Sequence, residues 1–479
     1  PADIAFAVNL MSAICTSVAA MMITWITIMF GELALVGKGN EPTGSQNMAL
    51  IFAGIVAGLS AGFCTSVWFS AVEGEVYAMS TMFTCMTIWA ATKYYYIDEP
   101  NMSNRWLVLS LFLSGLSVGV HLLSILSLPA VALLVYYKNY RQHTLVGALI
   151  AMALGVVGII FIMKVVIVGI PSMWQWFELK TVNSLGLPIH SGLVPTILIV
   201  AALAYFTLRY AHNVGHQLLQ TTAVAAVLIV IAFSTIGVVV IRANADTPVN
   251  MNVPGDAMRL LPYLNREQYG ERPLLYGPAY DAEPIDVKRT PRYGRVGDKY
   301  QVVDEKFEYV YNSRDKMLFP RIGHTDQGRP ELHKMWREAL NGESKGKPGM
   351  GYNLQFMFKY QIGWMYIRYF MWNFVGRQTA EQGYFPWDIS KGNWQSGIGF
   401  IDENKLYKMD QLPDAIKNDE SRNTYYFLPL IFGLLGLIYH FVRKREEFII
   451  LLILFVITGV GIVIYSNQPP NEPRERDYV

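Results

Sequence analysis

The chain has 479 residues, of which 52% are hydrophobic and only 16% charged, with a formal net charge of +2. Globular proteins carry about 25% charged residues, so the deficit marks a polytopic membrane protein. The near-neutral balance, with no run of like charges, excludes nucleic acid as a partner. Cys15, Cys64 and Cys85 are odd in number and lie inside apolar runs, which excludes a disulfide framework and gives no metal-ligand spacing. The sequence opens on Pro1 without an initiator Met or a basic stretch leading an apolar one. No signal peptide is identified, and an incomplete reading frame is expected.

Apolar segments of spanning length recur at about 4–30, 47–70, 76–96, 145–169, 195–211, 218–241, 425–442 and 448–466. Lys93, Arg105, Lys138, Arg141, Arg209, Arg443, Lys444 and Arg445 flank them and mark cytoplasmic loops by the positive-inside rule. For these flanks to share one side, the apolar stretch 106–137 must cross out and back. The hinge falls near His121 to Ser127, with Pro129 just after it. The expected fold is mainly α, a polytopic transmembrane helical bundle of about ten spans with a mixed extracytoplasmic region. Three blocks follow: an N-terminal transmembrane module 1–241, an outer region 242–424, and a C-terminal transmembrane hairpin and outer loop 425–479.

Two carboxylates, Glu73 and Glu75, sit between charge-free apolar runs in WFSAVEGEVY. A carboxylate at mid-bilayer costs about 2.5 to 3.5 kcal/mol, so both belong at the outer water interface or in a cavity. They read either as a solvated turn whose acids favour the next helix N-terminus or as the acidic mouth of a surface site. His121, in SVGVHLLS, is expected on the same side, either as a packed, hydrogen-bonded residue or as part of that site. Lys164 can snorkel from its span to the outer headgroups, and Trp174, Trp176 and Phe177 suit an interfacial belt.

From Arg242 to about Thr424 the sequence is rich in Pro, Gly, Tyr and Arg, which favours short strands, turns and ordered loops. DEKFEYVY, 304–311, alternates as a strand does. The aromatic stretch 352–377 carries Lys359, Arg368 and Arg377 and reads as an amphipathic helix in the outer interface, its rings in lipid and its cations toward phosphate. After Tyr465 comes a dense polar run, Asn467, Gln468, Glu472, Arg474, Glu475, Arg476 and Asp477, stiffened by Pro469, Pro470 and Pro473. Its arginine forks suit phosphate oxygens and its acids could orient the forks or bind sugar hydroxyls, with a solvated connector as the other reading.

WFSAVEGEVYAMS, LSVGVHLL, NADTPVNMN, LLPYLNREQYGERPLLYGP, WMYIRYFMWNFVGR and NQPPNEPRERDYV together resemble a family of polytopic proteins abundant in Bacteroidota that includes the animal transmembrane protein O-mannosyltransferase. The resemblance spans essentially the whole chain. It implies a GT-C glycosyltransferase in a bacterial inner membrane, active on the periplasmic side. The implied donor is a sugar, mannose or similar, on a polyprenyl phosphate, with no cofactor and no metal. The implied acceptors are Ser or Thr of exported proteins, and membrane lipids are further partners. Glu73 and Glu75 match the second outer loop and take accessory catalytic roles. His121, Arg368, Arg377, Asn467, Gln468, Glu472, Arg474, Glu475, Arg476 and Asp477 match stretches typical of the family and are assigned to substrate binding. Family members carry an earlier span and an outer loop with Asp and Glu, where the main base is expected; this stretch alone is expected to be inactive. A transporter or flippase for a lipid-linked precursor, or a non-catalytic envelope scaffold, are the rival readings.

Overall fold

A computed structural model describes residues 2–471 except 246, 271, 327, 343–345 and 409–410. The principal helices are α1 (Ala2–Leu35), α2 (Gly44–Phe63), α3 (Thr65–Val72), α4 (Val76–Tyr96), α5 (Pro100–Ser117), α6 (Leu128–Asn139), α7 (Leu145–Ser184), α8 (Leu193–Val214), α9 (Gln217–Ala243), α10 (Ala257–Leu264), α11 (Arg329–Asn341), α12 (350–374), α13 (Leu428–Arg443) and α14 (Arg445–Ser466). Three two-stranded antiparallel or ribbon-like sheets complete the described residues: β1 (Tyr276–Pro278) with β4 (Lys316–Leu318), β2 (Pro284–Val296) with β3 (Lys299–Tyr311), and β5 (Gly376–Arg377) with β6 (Asn423–Thr424).

Among the described residues, seven helices are long and apolar enough to cross a membrane: α1, α2, α6 with the turn before it, α7, α8, α9 and α14. Ten were expected, and seven meet that measure. The other three segments are helical, as α4, α5 and α13, but α13 is short and α4 and α5 are polar inside. Ser80, Thr87, Thr92, Ser103, Ser110, Ser114 and Ser117 are all buried there. Their hydroxyls can bond to helix carbonyls, as Ser110 Oγ does to Thr87 O at 2.8 Å and Thr92 Oγ1 to Ile88 O at 2.8 Å. Such residues lower the hydropathy of a helix without exposing a polar group to lipid. The break expected near His121 is present. α5 ends at Ser117, a 3₁₀ turn covers Leu122–Ser127, and Pro129 opens the next helix in its first turn, where its missing N–H costs nothing.

By packing, the chain forms two units, one of residues 1–78, 272–284 and 311–479 and the other of 79–271 and 285–310. In the first, α1 and α2 approach closely along Gly54 and Gly58. A Cβ on Gly58 would lie 2.1 Å from Thr24 Oγ1 and 3.2 Å from Ala20 O, so glycine there sets the helix spacing. The outer part of this unit packs Tyr280, Ile322, Trp336, Tyr352, Phe356, Tyr360, Trp364 and Met365 into one core. Helix α12 therefore turns most of its rings into protein, while Phe358 and Phe374 stay exposed.

In the second unit, α5 packs on α9 and α6 on α7, over a core of Ile125, Leu128, Ile162, Val166, Ile167, Ile229 and Phe233. Its outer end is tied together by the fully buried Glu178. That carboxylate accepts from the backbone N–H of His190 at 2.5 Å and Gly192 at 3.0 Å, from Trp174 Nε1 at 3.2 Å and from Tyr300 OH at 3.3 Å. Four donors replace the water that burial removes, which is the condition for keeping a charge inside. The Glu178→Ala variant leaves those donors unsatisfied and is expected to lose about 3 kcal/mol or more, read as a lowered unfolding midpoint in detergent; Glu178→Gln, which still accepts, should lose less.

Candidate functional site

The polypeptide leaves α2 at Phe63, is extended at Cys64, and re-forms as the short helix α3 before the acidic turn. What fixes α3 is a paired contact with α12. Asn373 Oδ1 accepts from Ser66 N at 3.2 Å, and its Nδ2 donates to Ser66 Oγ at 3.0 Å. One turn along the same face, Phe69 lies under the guanidinium of Arg377, 5.7 Å from ring centre to Cζ. Glu73 follows at the next helical repeat of that face, where α3 ends in an extended residue. Glu73 and Glu75 are half-buried. Gly74 between them packs against α1, where a Cβ would come within 2.9 Å of Val8 Cγ1 and 3.2 Å of Asn9 Oδ1.

Arg377 is held from behind. Its Nε donates to Ser421 O at 2.7 Å and its backbone N–H to Asn423 Oδ1 at 2.9 Å, in the β5–β6 corner. Its Nη1 is buried without a hydrogen-bond partner. Burial also pushes the guanidinium below its ordinary pKa, with Tyr425 and Asp419 opposing. A desolvated cation with a donor unspent is an arrangement that favours an anion. On the neighbouring face of α3, an apolar groove of about 530 Å³ runs between α1, α2 and α3, past Thr16, Thr24, Gly58, Phe63, Trp68 and Val72.

Arg368 is placed differently. It is 2% exposed, stacked at 4.0 Å on Trp364 and 4.2 Å on Tyr369, and donates to the carbonyls of Trp364, Gly383 and Gly392. It pins a loop to α12. His121 lies in the other unit, at the N-cap of the 3₁₀ turn, where its Nδ1 accepts from Leu123 N at 3.3 Å. Burial, aided by Arg266, pushes its imidazole down to about 4, so it is neutral at physiological pH.

Asn467 and Gln468 are 0% and 2% exposed. The Asn467 amide donates to Pro320 O at 2.9 Å and Pro273 O at 3.3 Å, while Gln361 Nε2 donates to Asn467 Oδ1 at 3.1 Å and Gln468 O at 3.0 Å. The backbone around them is gripped by Arg321 on Ile464 O at 2.7 Å, Tyr360 on Pro469 O at 3.1 Å and Arg329 on Pro470 O at 2.7 Å. Glu472, Arg474, Glu475, Arg476 and Asp477 lie outside the described residues.

A histidine pair that no local pattern marks lies behind this strap. His324 Nε2 is 2.6 Å from Asn467 O, and His324 Nδ1 is 2.9 Å from His333 Nε2. A carbonyl only accepts, so the proton of His324 sits on Nε2 and its Nδ1 accepts from His333. The His324 ring must be neutral for this chain to form, because its Nδ1 has to accept. Desolvation lowers His324 to about 3, with Arg272, Arg329 and Arg321 adding to it, and lowers His333 well below its usual value, with His324 and Arg329 adding.

The fold and site define a multi-pass membrane protein with an acidic turn and a desolvated arginine gathered on one short helix. Residues 1–144 match the family model described as the protein O-mannosyl-transferase TMEM260 N-terminal domain. That stretch includes Glu73, Glu75 and His121 and ends before Arg368, Arg377 and the C-terminal strap. Residues 270–358 match the model of a family of unknown function, DUF8416. No curated protein and no solved structure matches the chain.

The histidine pair has a pH signature. Folded-state pKa values below the unfolded value of about 6.5 mean that this stability is full above pH 6.5 and is lost as pH falls toward the folded values, by up to about 1.4 kcal/mol per pH unit for each ring. The unfolding midpoint is expected to drop between pH 6.5 and 4, and the slope should flatten in His324→Asn.

Proposed function

We propose that the protein is a GT-C membrane glycosyltransferase of protein O-mannosylation. It transfers a sugar, mannose or a close relative, from a polyprenyl phosphate to Ser or Thr hydroxyls of exported proteins, at the periplasmic face of a bacterial inner membrane. The observation that carries this reading is the match of residues 1–144 to the N-terminal domain of a protein O-mannosyltransferase.

In this reaction the acceptor oxygen bonds to the anomeric carbon as the bond from that carbon to the phosphate oxygen breaks. The hydroxyl proton passes to a carboxylate, and the lipid leaves as its phosphate anion. Glu73 and Glu75 orient the acceptor. Arg377 is the cation for the leaving phosphate. Its support is the unspent, buried Nη1 and the Phe69 ring beneath it, since a preorganised charge stabilises more where water is excluded. Arg368 instead holds the loop that frames this corner, its Nε and Nη1 being engaged by backbone carbonyls. The groove along α1, α2 and α3 takes the start of the lipid chain. Asn467 and Gln468 hold the strap that precedes Arg474 and Arg476 in the sequence.

In the full-length protein, Glu75→Gln is expected to lower transfer tenfold or more at equal expression, on the order of an acid–base contribution. Glycan occupancy on exported proteins measures it, and unchanged occupancy removes Glu75 from the site. Arg377→Ala is expected to lower kcat by about 10² while the unfolding midpoint holds; Arg368→Ala should lower the midpoint itself.

A further inference from the structure

Helices α5, α6, α7 and α9 of the second unit leave a space between them. It is an apolar groove of about 740 Å³, lined by Leu107 and Leu111 of α5, Leu128 and Val135 of α6, and the facing sides of α7 and α9. The space exists because the residues that face it are small. Helix α7 presents Gly147, Ala151, Gly155 and Gly158, and α9 presents Thr222, Ala225 and Ala226. Two of these glycines hold α7 against α6, since a Cβ on Gly147 would lie 2.1 Å from Tyr136 Oη and one on Gly155 2.5 Å from Pro129 Cα. Gly158 has no such duty. A Cβ there would meet only Leu128 Cδ1, at 3.7 Å, so a side chain at this position would enter the groove.

Close-packed interiors hold few voids larger than a water molecule, and an empty space of this size would forfeit more contact than the net stability of a fold allows. The rim shows where the filling comes from. Ile150, Leu154 and Val157 line the groove and are exposed, so it opens sideways onto the bilayer.

The lining is one-ended in its chemistry. From Gly147 to Ile162 the groove follows α7 for about 22 Å at 1.5 Å per residue, roughly three-quarters of the hydrocarbon core. Its hydroxyls, on Tyr136, Tyr140 and Thr222, are all gathered at the Gly147 end. Tyr136 Oη accepts from Thr144 N at 3.0 Å and Thr222 Oγ1 donates to Leu218 O at 2.8 Å. That end is also basic. Arg141 follows Tyr140, and His216 stands at the N-cap of α9 just before the lining residue Leu218; both are exposed. Around them Lys93, Arg105, Lys138 and Arg209 outnumber Asp98 and Glu99, with Lys138 engaged by the carbonyls of Tyr94 and Ile97. Helices α7 and α9 both begin here, so their positive ends add to this field.

We propose that the groove holds one acyl chain of an anionic phospholipid, its phosphate at the basic end beside Arg141 and the first turn of α9. The chain completes the packing between α7 and α9, and the charge surplus selects the headgroup. This site lies within residues 107–229, whereas the groove along α1, α2 and α3 lies within residues 13–72. It therefore stands apart from the transferase reading.

The test uses the full-length protein in lipid-stripped detergent, with dioleoyl-phosphatidylglycerol and dioleoyl-phosphatidylcholine as probes. Native mass spectrometry counts the bound lipid, and the unfolding midpoint is read alongside. The wild type is expected to bind phosphatidylglycerol about tenfold more tightly than phosphatidylcholine and to unfold at a higher midpoint in its presence. Gly158→Leu should lose the bound lipid and that gain in midpoint, while its own midpoint in bare detergent holds or rises. Arg141→Glu/His216→Glu, at exposed positions, should erase the preference between the two lipids and leave chain binding in place. Equal binding of both lipids by the wild type, an unchanged lipid count in Gly158→Leu, or an unchanged preference in the charge-reversed variant reduces the groove to ordinary bilayer coverage and overturns the proposal. Displacement of phosphatidylglycerol by undecaprenyl phosphate at equal concentration also overturns it, because the groove would then belong to a polyprenyl lipid.

Discussion

The grip on the backbone that follows the last span governs how the first unit is built. Ile464, Asn467, Gln468, Pro469 and Pro470 each give a carbonyl to a side chain of the outer region. A chain leaving the membrane would ordinarily find water for these groups. Here it passes through the interior, so each carbonyl needs a donor. Arg321, His324, Arg329, Tyr360 and Gln361 supply them, and the aromatic core of α11 and α12 closes around those donors. The polar strap and the ring cluster are thus one design: the rings exclude water, and exclusion makes the hydrogen bonds obligatory.

The same rule explains the second unit. Glu178 is buried because four donors converge on it, and those donors come from α7 itself, from the loop after it and from the ribbon. This carboxylate, with Asn183, sets where the turn end of the ribbon is anchored.

Arg368 and Arg377 lie nine positions apart on one continuous stretch, yet their surroundings differ. Arg368 gives Nε and Nη1 to backbone carbonyls and stacks against Trp364 and Tyr369, while Arg377 gives Nε to Ser421 O and faces Phe69. Two arginines of equal charge therefore sit in unequal corners, the first holding a loop and the second packed on the helix that leads to the acidic turn.

Hydropathy by itself determined the membrane class, the positions of the helices and the hinge at His121, because burial in lipid is decided residue by residue along the chain. Alternation likewise placed a strand over 304–311, which lies inside β3. Residue type and spacing singled out Glu73, Glu75 and Arg377. Only the tertiary structure decided that α4 and α5 are polar within, that α12 turns most of its rings into protein, and that Asn467 and Gln468 are interior. It also brought His324 to a carbonyl 143 positions away, with His333 behind it. Those facts depend on which distant donor meets which acceptor, and no local period in a sequence records that pairing.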